Sequence, residues 1–255
     1  RMALPLTSEQ LARYEEEGFL LASGLISDEA SSAAAGAMWR LLDMDPNDPA
    51  TWAAAAPGFQ HTEGANRYEL YGIQDRAVMA CCTETFLAAT AQLVGESRDA
   101  IHRPDAAQAL HAFPVDREWQ APGPHVDGIP RECEHRTFPG PYRLTALVFL
   151  SDVEPRGGGT MAWPGSHTRV EELARSAPDT YEYLYQLQPD ISGLDLGDGL
   201  ELTPRRGDVL FFRHLWAHGA TLNASNRPRL AMRWLCSRDC CLKWSKTDAW
   251  NNWSP

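Results

Sequence analysis

Residues 208–221, DVLFFRHLWAHGAT, form the most strand-like stretch of the chain, and residues 229–239, RLAMRWLCSRD, form a second one. The turn-forming residues NASNRP lie between them. Two apolar runs joined by a short polar turn predict a β-hairpin, in which the second run pairs back against the first. Such a hairpin would place Arg229 close to His218. His214 lies four residues before His218 in the same strand parity, so it is an alternative at this position.

Shorter runs of the same type occur upstream, after residue 100, between clusters of proline and glycine: AQALHAFPV, RLTALVFLSDV and GTMAWPG. Many short strands separated by turns are typical of a barrel or sandwich rather than of a parallel α/β sheet. Residues 1–100 are mainly helical in pattern, and a helix with a Gly/Asp-rich loop interrupts the strands at about 168–200. We therefore expect a single domain over residues 1–255, mainly β with flanking helices, whose barrel core spans residues 101–255.

Three helices are predicted from the signals at their ends. Thr7 and Gln10 have the spacing of a capping box, Thr83 is a second capping residue, and Gly18 and Gly95 are stop signals. A short apolar run, FLLASGLIS, follows the first helix and is predicted to be a buried strand. The predicted helices span about 7–17, 28–42 and 83–95.

The composition argues against several classes of partner. The 255 residues include 23 basic and 34 acidic side chains, a net charge of −11 without a long run of either sign. This acidity argues against nucleic acid or an anionic membrane, because both attract basic patches. No apolar segment is long enough for a signal peptide or a membrane span. The six cysteines include two adjacent pairs but no C-x-x-C spacing, which predicts reduced thiols in a cytoplasmic protein. The composition does not determine an oligomeric state.

A metal site is the most specific chemical hypothesis that the residues offer. His125 and Asp127 occur two residues apart in APGPHVDGIP, so in an extended segment both side chains point the same way. Such a pair is common by chance, and a third ligand must come from elsewhere. Two imidazoles and one carboxylate form the facial triad of non-haem Fe(II) oxygenases, and a nearby arginine could grip the far carboxylate of a dicarboxylate co-substrate. Position favours His218 and His214 as the third ligand. Composition alone also offers His61, His102, His111, His135 and His167.

Four motifs are spread over most of the chain: LTSEQLARYEEEGFLLASGLIS at 6–27, HVD at 125–127, GGGTMAWPGSH at 157–167 and HGATLNASNRPRLAMRW at 218–234. Together they resemble the phytanoyl-CoA dioxygenase family of Fe(II)/2-oxoglutarate-dependent oxygenases. The resemblance implies a double-stranded β-helix, which is a cupin-like jelly-roll barrel with the metal inside its mouth. Carried over by position, it makes His125, Asp127 and His218 the iron ligands and Arg229 the partner of the distal carboxylate of 2-oxoglutarate.

The sequence departs from the family pattern in the expected co-substrate pocket. Members often carry a serine two residues after the distal histidine, where it assists the arginine, but this position is Ala220. Thr221 or Ser166 could take its place. Asp127 favours oxygenation, because related halogenases replace this carboxylate by a small residue and bind halide there. The further residues expected to line the pocket are Thr145, Thr160, Trp163 and Thr221.

The resemblance implies that Fe(II), 2-oxoglutarate and O2 together oxidise a small molecule, most simply by hydroxylation, with release of succinate and CO2. The chain has no basic cluster suited to the phosphates of CoA, which favours a free small molecule, either amino-acid-like or a natural-product intermediate. Two alternatives stay open at this point: a non-oxygenase metal-dependent cupin-type enzyme (an isomerase or hydrolase), and a 2-oxoglutarate-binding sensor. Residues 240–255, rich in tryptophan, are interpreted as a lid or a packing strap. The residues expected to contact the substrate, with ordinary packing as the alternative for each, are His61, Tyr68, His111, Phe113, Ile129 and Arg131.

Overall fold

The computed structural model describes residues 4–128 and 130–237. The expected substrate contact of Ile129 and the lid or strap at 240–255 lie outside the described residues. The described strands pair antiparallel throughout. They are β1 (Phe19–Ala22), β2 (Gln60–Thr62), β3 (Arg67–Ile73), β4 (Ala107–Ala112), β5 (Tyr142–Phe149), β6 (Thr160–Ala162), β7 (Leu200–Leu202), β8 (Val209–Arg213), β9 (His218–Ala220) and β10 (Arg229–Ser237).

Two sheets enclose the interior of the molecule. The larger has seven strands in the order β1-β8-β5-β10-β4-β3-β2, and the smaller has three in the order β7-β6-β9. A single bridge between His125 and His218 attaches the H-x-D segment to the edge of the smaller sheet. Side chains from both sheets, such as Phe212 and Ala162, meet in one apolar cluster. Two antiparallel sheets packed around a shared interior form a jelly roll, as the sequence predicted.

Helices cover the other face of the larger sheet. Alternate strand residues such as Phe211, Met232 and Trp234 pack there with Met38 and Phe86 of the helices. The central strands of the larger sheet, such as β5 and β8, are therefore buried on both faces. Among the described residues, no helix has the length and apolar character that a membrane span requires. The helices are α1 (Ser8–Glu17), α2 (Asp28–Leu42), α3 (Arg76–Met79), α4 (Glu84–Val94), α5 (Ser166–Ser176) and α6 (Leu184–Ile191).

The predicted helix ends are confirmed. The Thr7 hydroxyl accepts from the backbone N–H of Gln10, and the Gln10 side chain accepts from the backbone N–H of Thr7, which completes the capping box of α1. Thr83 caps α4 in the same way. Gly18 ends α1 with a φ of 81°, and a Cβ at this position would lie 2.3 Å from Nδ1 of His167. Glycine is therefore required here by both conformation and space.

The predicted hairpin between residues 208–221 and 229–239 is wrong. The first run breaks after β8, where Leu215 adopts a left-handed conformation with φ of 65°. β9 then pairs with β6 in the smaller sheet, whereas β10 pairs with β4 and β5 in the larger one. The chain changes sheets here because a jelly roll needs strands on both sides of its interior. His218 and Arg229 consequently reach the same cavity from opposite sheets.

Cys81 and Cys82 provide a test of the helical layer. Both are free thiols with no exposed surface. Burial raises the pKa of each to about 12, so the nucleophilic thiolate is scarce at neutral pH. We expect iodoacetamide to leave both cysteines unmodified in the folded protein and to alkylate both after unfolding in guanidinium. Peptide mass spectrometry measures the labelling, and rapid modification of either thiol in the native protein would contradict the packing.

Candidate metal centre

His125, Asp127 and His218 converge at the edge of the barrel interior, with one ligand atom from each lying within 4.8 Å of the others. Oδ1 of Asp127 is 3.4 Å from Nε2 of His218 and 3.8 Å from Nε2 of His125. Two imidazole nitrogens and a carboxylate oxygen at this spacing suit a non-haem Fe(II) ion. Within the described residues, no other set of three potential ligands has this geometry.

Backbone pairing sets the spacing of the three ligands. The amides of His125 and His218 each donate to the carbonyl oxygen of the other, both at 2.9 Å. Asp127 lies two residues further along an extended segment, so its side chain returns to the same side. Gly219 permits the close approach of the proline-rich turn, because a Cβ there would lie 2.7 Å from Cγ of Pro122.

The residue between the two ligands is held by α6. Val126 has no exposed surface and packs in one apolar cluster with Leu184 and Leu187. Oε1 of Gln188 accepts from the backbone N–H of Val126 at 3.4 Å, and its Nε2 donates to the carbonyl oxygen of Pro124 at 3.2 Å. The helices between β6 and β7 therefore support the H-x-D segment from behind.

The two histidines are held in a form that can bind metal. Nδ1 of His218 lies 3.1 Å from the carbonyl oxygen of Trp216, which can only accept, so Nδ1 carries a proton and Nε2 offers its lone pair to the site. The rings of Trp216 and Phe212 pack on His218 at centroid distances of 5.2 and 4.8 Å. Burial and the neighbouring His218 lower the pKa of His125 to about 4, so its imidazole is neutral at pH 7.

Asp127 belongs to a buried polar network. Burial acts to raise the pKa of its carboxyl, but His218, Arg233 and His125 together hold it below the usual range. Nη1 of Arg233 donates to Oδ2 of Asp127 at 3.3 Å. The other carboxylate oxygen, Oδ1, is the one near the two histidines. Arg233 also donates to Oε1 of Gln108 at 2.9 and 2.6 Å. No motif indicated this network, whereas strand register places Arg233 directly opposite Gln108.

A cavity of about 210 Å³ adjoins the three ligands. Its wall is formed by residues of both sheets and combines charged with apolar groups. The charged part includes three arginines, Arg67, Arg229 and Arg233, and the apolar part includes Leu147 and Phe212. The cavity can therefore hold an anion at the arginines and exclude water at the apolar wall.

Arg229 is fixed in this wall at the start of β10. Its Nε donates to the carbonyl oxygen of Gly158 at 2.9 Å, and its Nη1 donates to that of Leu110 at 2.8 Å. Burial and the nearby Arg67 lower the pKa of Arg229 to about 9, which leaves the guanidinium charged at pH 7. No carboxylate among the described residues forms an ion pair with it. A buried guanidinium in this state is suited to receive an anionic ligand.

The profile of a known protein family, phytanoyl-CoA dioxygenase (PhyH), matches residues 14–231. This span is most of the chain and contains the three candidate ligands and Arg229. The chain belongs to the phytanoyl-CoA dioxygenase family. The predicted membership is thereby confirmed, and with it the predicted class: the protein is an Fe(II)/2-oxoglutarate-dependent dioxygenase.

The chain is similar to a characterised enzyme and to several proteins of known structure. The ectoine dioxygenase of Bordetella bronchiseptica is 26% identical over 242 residues, which cover 90% of this chain and 74% of that protein. The 2-oxoglutarate-dependent carbocyclase SnoK of nogalamycin biosynthesis shares 20% identity and a TM-score of 0.62, over 89% of this chain and 82% of its own. EctD of S. alaskensis, solved with 2-oxoglutarate and 5-hydroxyectoine, shares 17% identity and a TM-score of 0.61, over 91% of this chain and 76% of its own. These structural matches confirm the predicted fold.

Of the four further residues expected to line the co-substrate pocket, one borders the cavity. Thr160 borders the cavity on β6, opposite Ala220 in the strand register. The other three are buried but do not border the cavity: Thr145, Trp163 and Thr221.

Most residues expected to contact substrate lie on the helix-facing side of the larger sheet. The ring of Tyr68 stacks on His61 at 4.2 Å and meets Phe113 edge-on at 5.2 Å, within the helical layer. Some atoms of His111 border the cavity, but its cross-strand neighbours, Tyr68 and Leu230, both belong to the helix-facing cluster. The structure places His61, Tyr68 and Phe113 away from the cavity, whereas His111 lines it together with the metal ligands.

Two further sequence candidates also lie apart from the metal ligands. Arg131 is exposed in a short 3-10 helix, with its guanidinium 5.3 Å above the ring of Tyr185. His214, the alternative third ligand, is buried, and its Nε2 lies 2.9 Å from the carbonyl oxygen of Thr137. His214 does not join the three converging ligands.

Proposed function

We propose that His125, Asp127 and His218 hold Fe(II), that Arg229 pairs with the distal carboxylate of 2-oxoglutarate, and that the protein hydroxylates a small polar molecule. The observation that carries this proposal is that the three ligands and a buried, unpaired guanidinium border the same cavity. A metal-dependent isomerase or hydrolase would use the three ligands but has no need of Arg229. The dioxygenase therefore accounts for more of the site than a metal-dependent isomerase or hydrolase does, whereas turnover is what distinguishes it from a 2-oxoglutarate-binding sensor.

Different residues of the chain have different roles in the proposed reaction. When bound, Fe(II) and 2-oxoglutarate supply the oxidation, with succinate and CO2 as co-products. His125, Asp127 and His218 would hold the metal, which would supply the remaining binding positions for co-substrate and O2. Asp127 fills the position at which a halogenase would bind halide, which supports hydroxylation. Leu147 and Phe212 restrict the access of water to the reacting centre.

The cavity supports a compact, polar substrate. Its volume of about 210 Å³ is shared with the co-substrate, and its wall offers both Glu69 and Arg233 to polar groups. The curated relative is named for ectoine, a compact molecule, which makes ectoine and amino-acid-like compounds the first to test. The free thiols of Cys81 and Cys82 support a reducing location, the cytoplasm.

The test is a single-turnover reaction. The protein is loaded with Fe(II) and 2-oxoglutarate without oxygen, mixed with a library of small polar metabolites, and then exposed to O2. We expect succinate to form faster with one compound, together with a product heavier by one oxygen atom in mass spectrometry. Conversion of any compound at full rate without 2-oxoglutarate would instead favour the isomerase or hydrolase. Binding of 2-oxoglutarate with no turnover would favour the sensor.

Replacing Arg233 by leucine should weaken Fe(II) binding by about 10–100-fold, the range typical of residues that orient a metal ligand. The change removes the partner of Asp127 Oδ2, so the carboxylate is free to rotate. Anaerobic metal titration measures the effect, and Arg233→Lys should lose less because it keeps the charge. Arg40→Leu, an exposed change on α2, is the matched control. Equal metal affinity in Arg233→Leu and wild type would remove Arg233 from this role.

A further inference from the structure

Two arginines flank one alanine on the inner face of the larger sheet. Arg67 of β3 and Arg229 of β10 are both cross-strand partners of Ala112 in β4, which lies between them. Cross-strand partners point to the same face of a sheet, so both guanidiniums extend towards the interior. Both border the cavity that adjoins the metal ligands.

The Arg67 guanidinium reaches the smaller sheet at one specific place. Its Nη2 donates to the carbonyl oxygen of Ala220 at 2.8 Å and lies 3.3 Å from that of Thr221. Ala220 is the position, two residues after His218, at which family members often carry the serine that assists the arginine. The methyl side chain of Ala220 borders the cavity here and cannot donate a hydrogen bond. Arg67 therefore brings donors to the location where this chain lacks one.

The hydroxyls that could replace that serine are engaged elsewhere. Ser166 accepts from the backbone N–H of Ala217 at 2.9 Å and donates to the carbonyl oxygen of the same residue at 3.4 Å. The hydroxyl of Thr221 donates to the carbonyl oxygen of Gly159 at 3.0 Å. Neither hydroxyl belongs to a residue that borders the cavity.

Arg67 also has capacity for an anion. Its Nε is buried and has no hydrogen-bond partner among the described residues. No described carboxylate forms an ion pair with Arg67 or with Arg229, although Glu69 is near enough to act on both. Two like charges that share a cavity are costly to keep without a counter-ion, and a carboxylate can accept from both guanidiniums at once.

We propose that Arg67 is the second anchor of the distal carboxylate of 2-oxoglutarate, in place of the hydroxyl that Ala220 lacks. This inference rests on the proposed function, because it concerns the same co-substrate. Arg229 enters from one side of Ala112 and Arg67 from the other, so the carboxylate is held between β3 and β10 rather than between β10 and β9. Arg67 contributes to affinity and orientation, and it takes no part in metal binding.

The experiment compares two ligands on the metal-loaded protein. Mn(II) protein is titrated without oxygen or substrate, once with 2-oxoglutarate and once with pyruvate, which has the same 2-oxo acid group but no distal carboxylate. We expect Arg67→Met to raise the Kd of 2-oxoglutarate about 10-fold or more, as for a lost hydrogen bond to a charged group. The Kd of pyruvate and that of Mn(II) should stay unchanged. Arg67→Lys should show a smaller loss than Arg67→Met.

A second variant makes the assignment specific to this position. Adding Ala220→Ser to Arg67→Met should recover part of the 2-oxoglutarate affinity, because it restores the family's hydroxyl. Equal weakening of pyruvate and 2-oxoglutarate, or an unchanged Kd of 2-oxoglutarate, would overturn the role of Arg67. If wild-type protein itself bound no 2-oxoglutarate, the proposed function would fail instead, so the two failures are distinguishable. Arg40→Met is the matched arginine control.

Discussion

Replacing Asp127 by alanine should abolish substrate-dependent succinate formation and should weaken Fe(II) binding by more than about 100-fold. A loss of about 100-fold is the upper end of what is typical when a residue that only hydrogen-bonds to a metal ligand is replaced. The variant leaves two imidazoles and no anionic ligand. It also leaves Arg233 without the carboxylate that it contacts at 3.3 Å. Anaerobic calorimetry with Fe(II) and a succinate assay measure the two losses.

Matched variants separate loss of the site from loss of the fold. Asp116→Ala removes an exposed carboxylate nearby in sequence and should change neither metal affinity nor turnover. His218→Ala should behave like Asp127→Ala, whereas His214→Gln should retain metal binding because His214 lies outside the ligand set. Wild-type metal affinity in Asp127→Ala would show that the metal binds elsewhere.

Replacing Arg229 by glutamine should raise the Kd of 2-oxoglutarate by about 100-fold or more, the scale expected when one partner of a buried, hydrogen-bonded charge pair is removed. The loss should exceed that of Arg67→Met, because the side chain of Arg229 is buried whereas that of Arg67 is only half-buried. Titration of Mn(II)-loaded protein with 2-oxoglutarate measures it.

The Arg229 variant also separates the proposed dioxygenase from a metal-dependent isomerase or hydrolase. Fe(II) affinity and thermal stability should change little in Arg229→Lys, which keeps a charge on β10. A metal-dependent isomerase would keep its turnover in this variant, and its wild type would work without 2-oxoglutarate. Retention of full turnover in Arg229→Gln at low 2-oxoglutarate would therefore exclude the proposed use of this side chain.

The features that depend on residues close together in the chain were predicted correctly from the sequence. The capping box of Thr7 and the stop at Gly18 depend on residues within a few positions of one another, and both are confirmed. The pairing of His125 with Asp127 depends on extended backbone alone, and the two side chains do converge. The family motifs then placed His218 and Arg229 beside the same cavity, although the hairpin expected to bring them together does not form.

Which face of a strand looks inward could not be read from the sequence. Residues of β3 and β4 alternate between the cavity and the helical layer, and both environments are buried, so polarity does not mark the inner face. The sequence therefore pointed to Tyr68 and Phe113, which lie in the helical layer, as well as to His111, which lines the cavity. The break at Leu215 was equally hidden, since leucine rarely adopts the left-handed conformation found there.

The two ends of the proposed co-substrate site belong to different sheets. His218 lies on the smaller sheet, whereas Arg229 lies on the larger one. A dicarboxylate that ties the metal to Arg229 would act as a removable cross-brace between the two halves of the barrel. The two sheets would then be linked at this point only while 2-oxoglutarate is bound. The co-substrate would therefore stabilise the barrel as well as take part in the reaction.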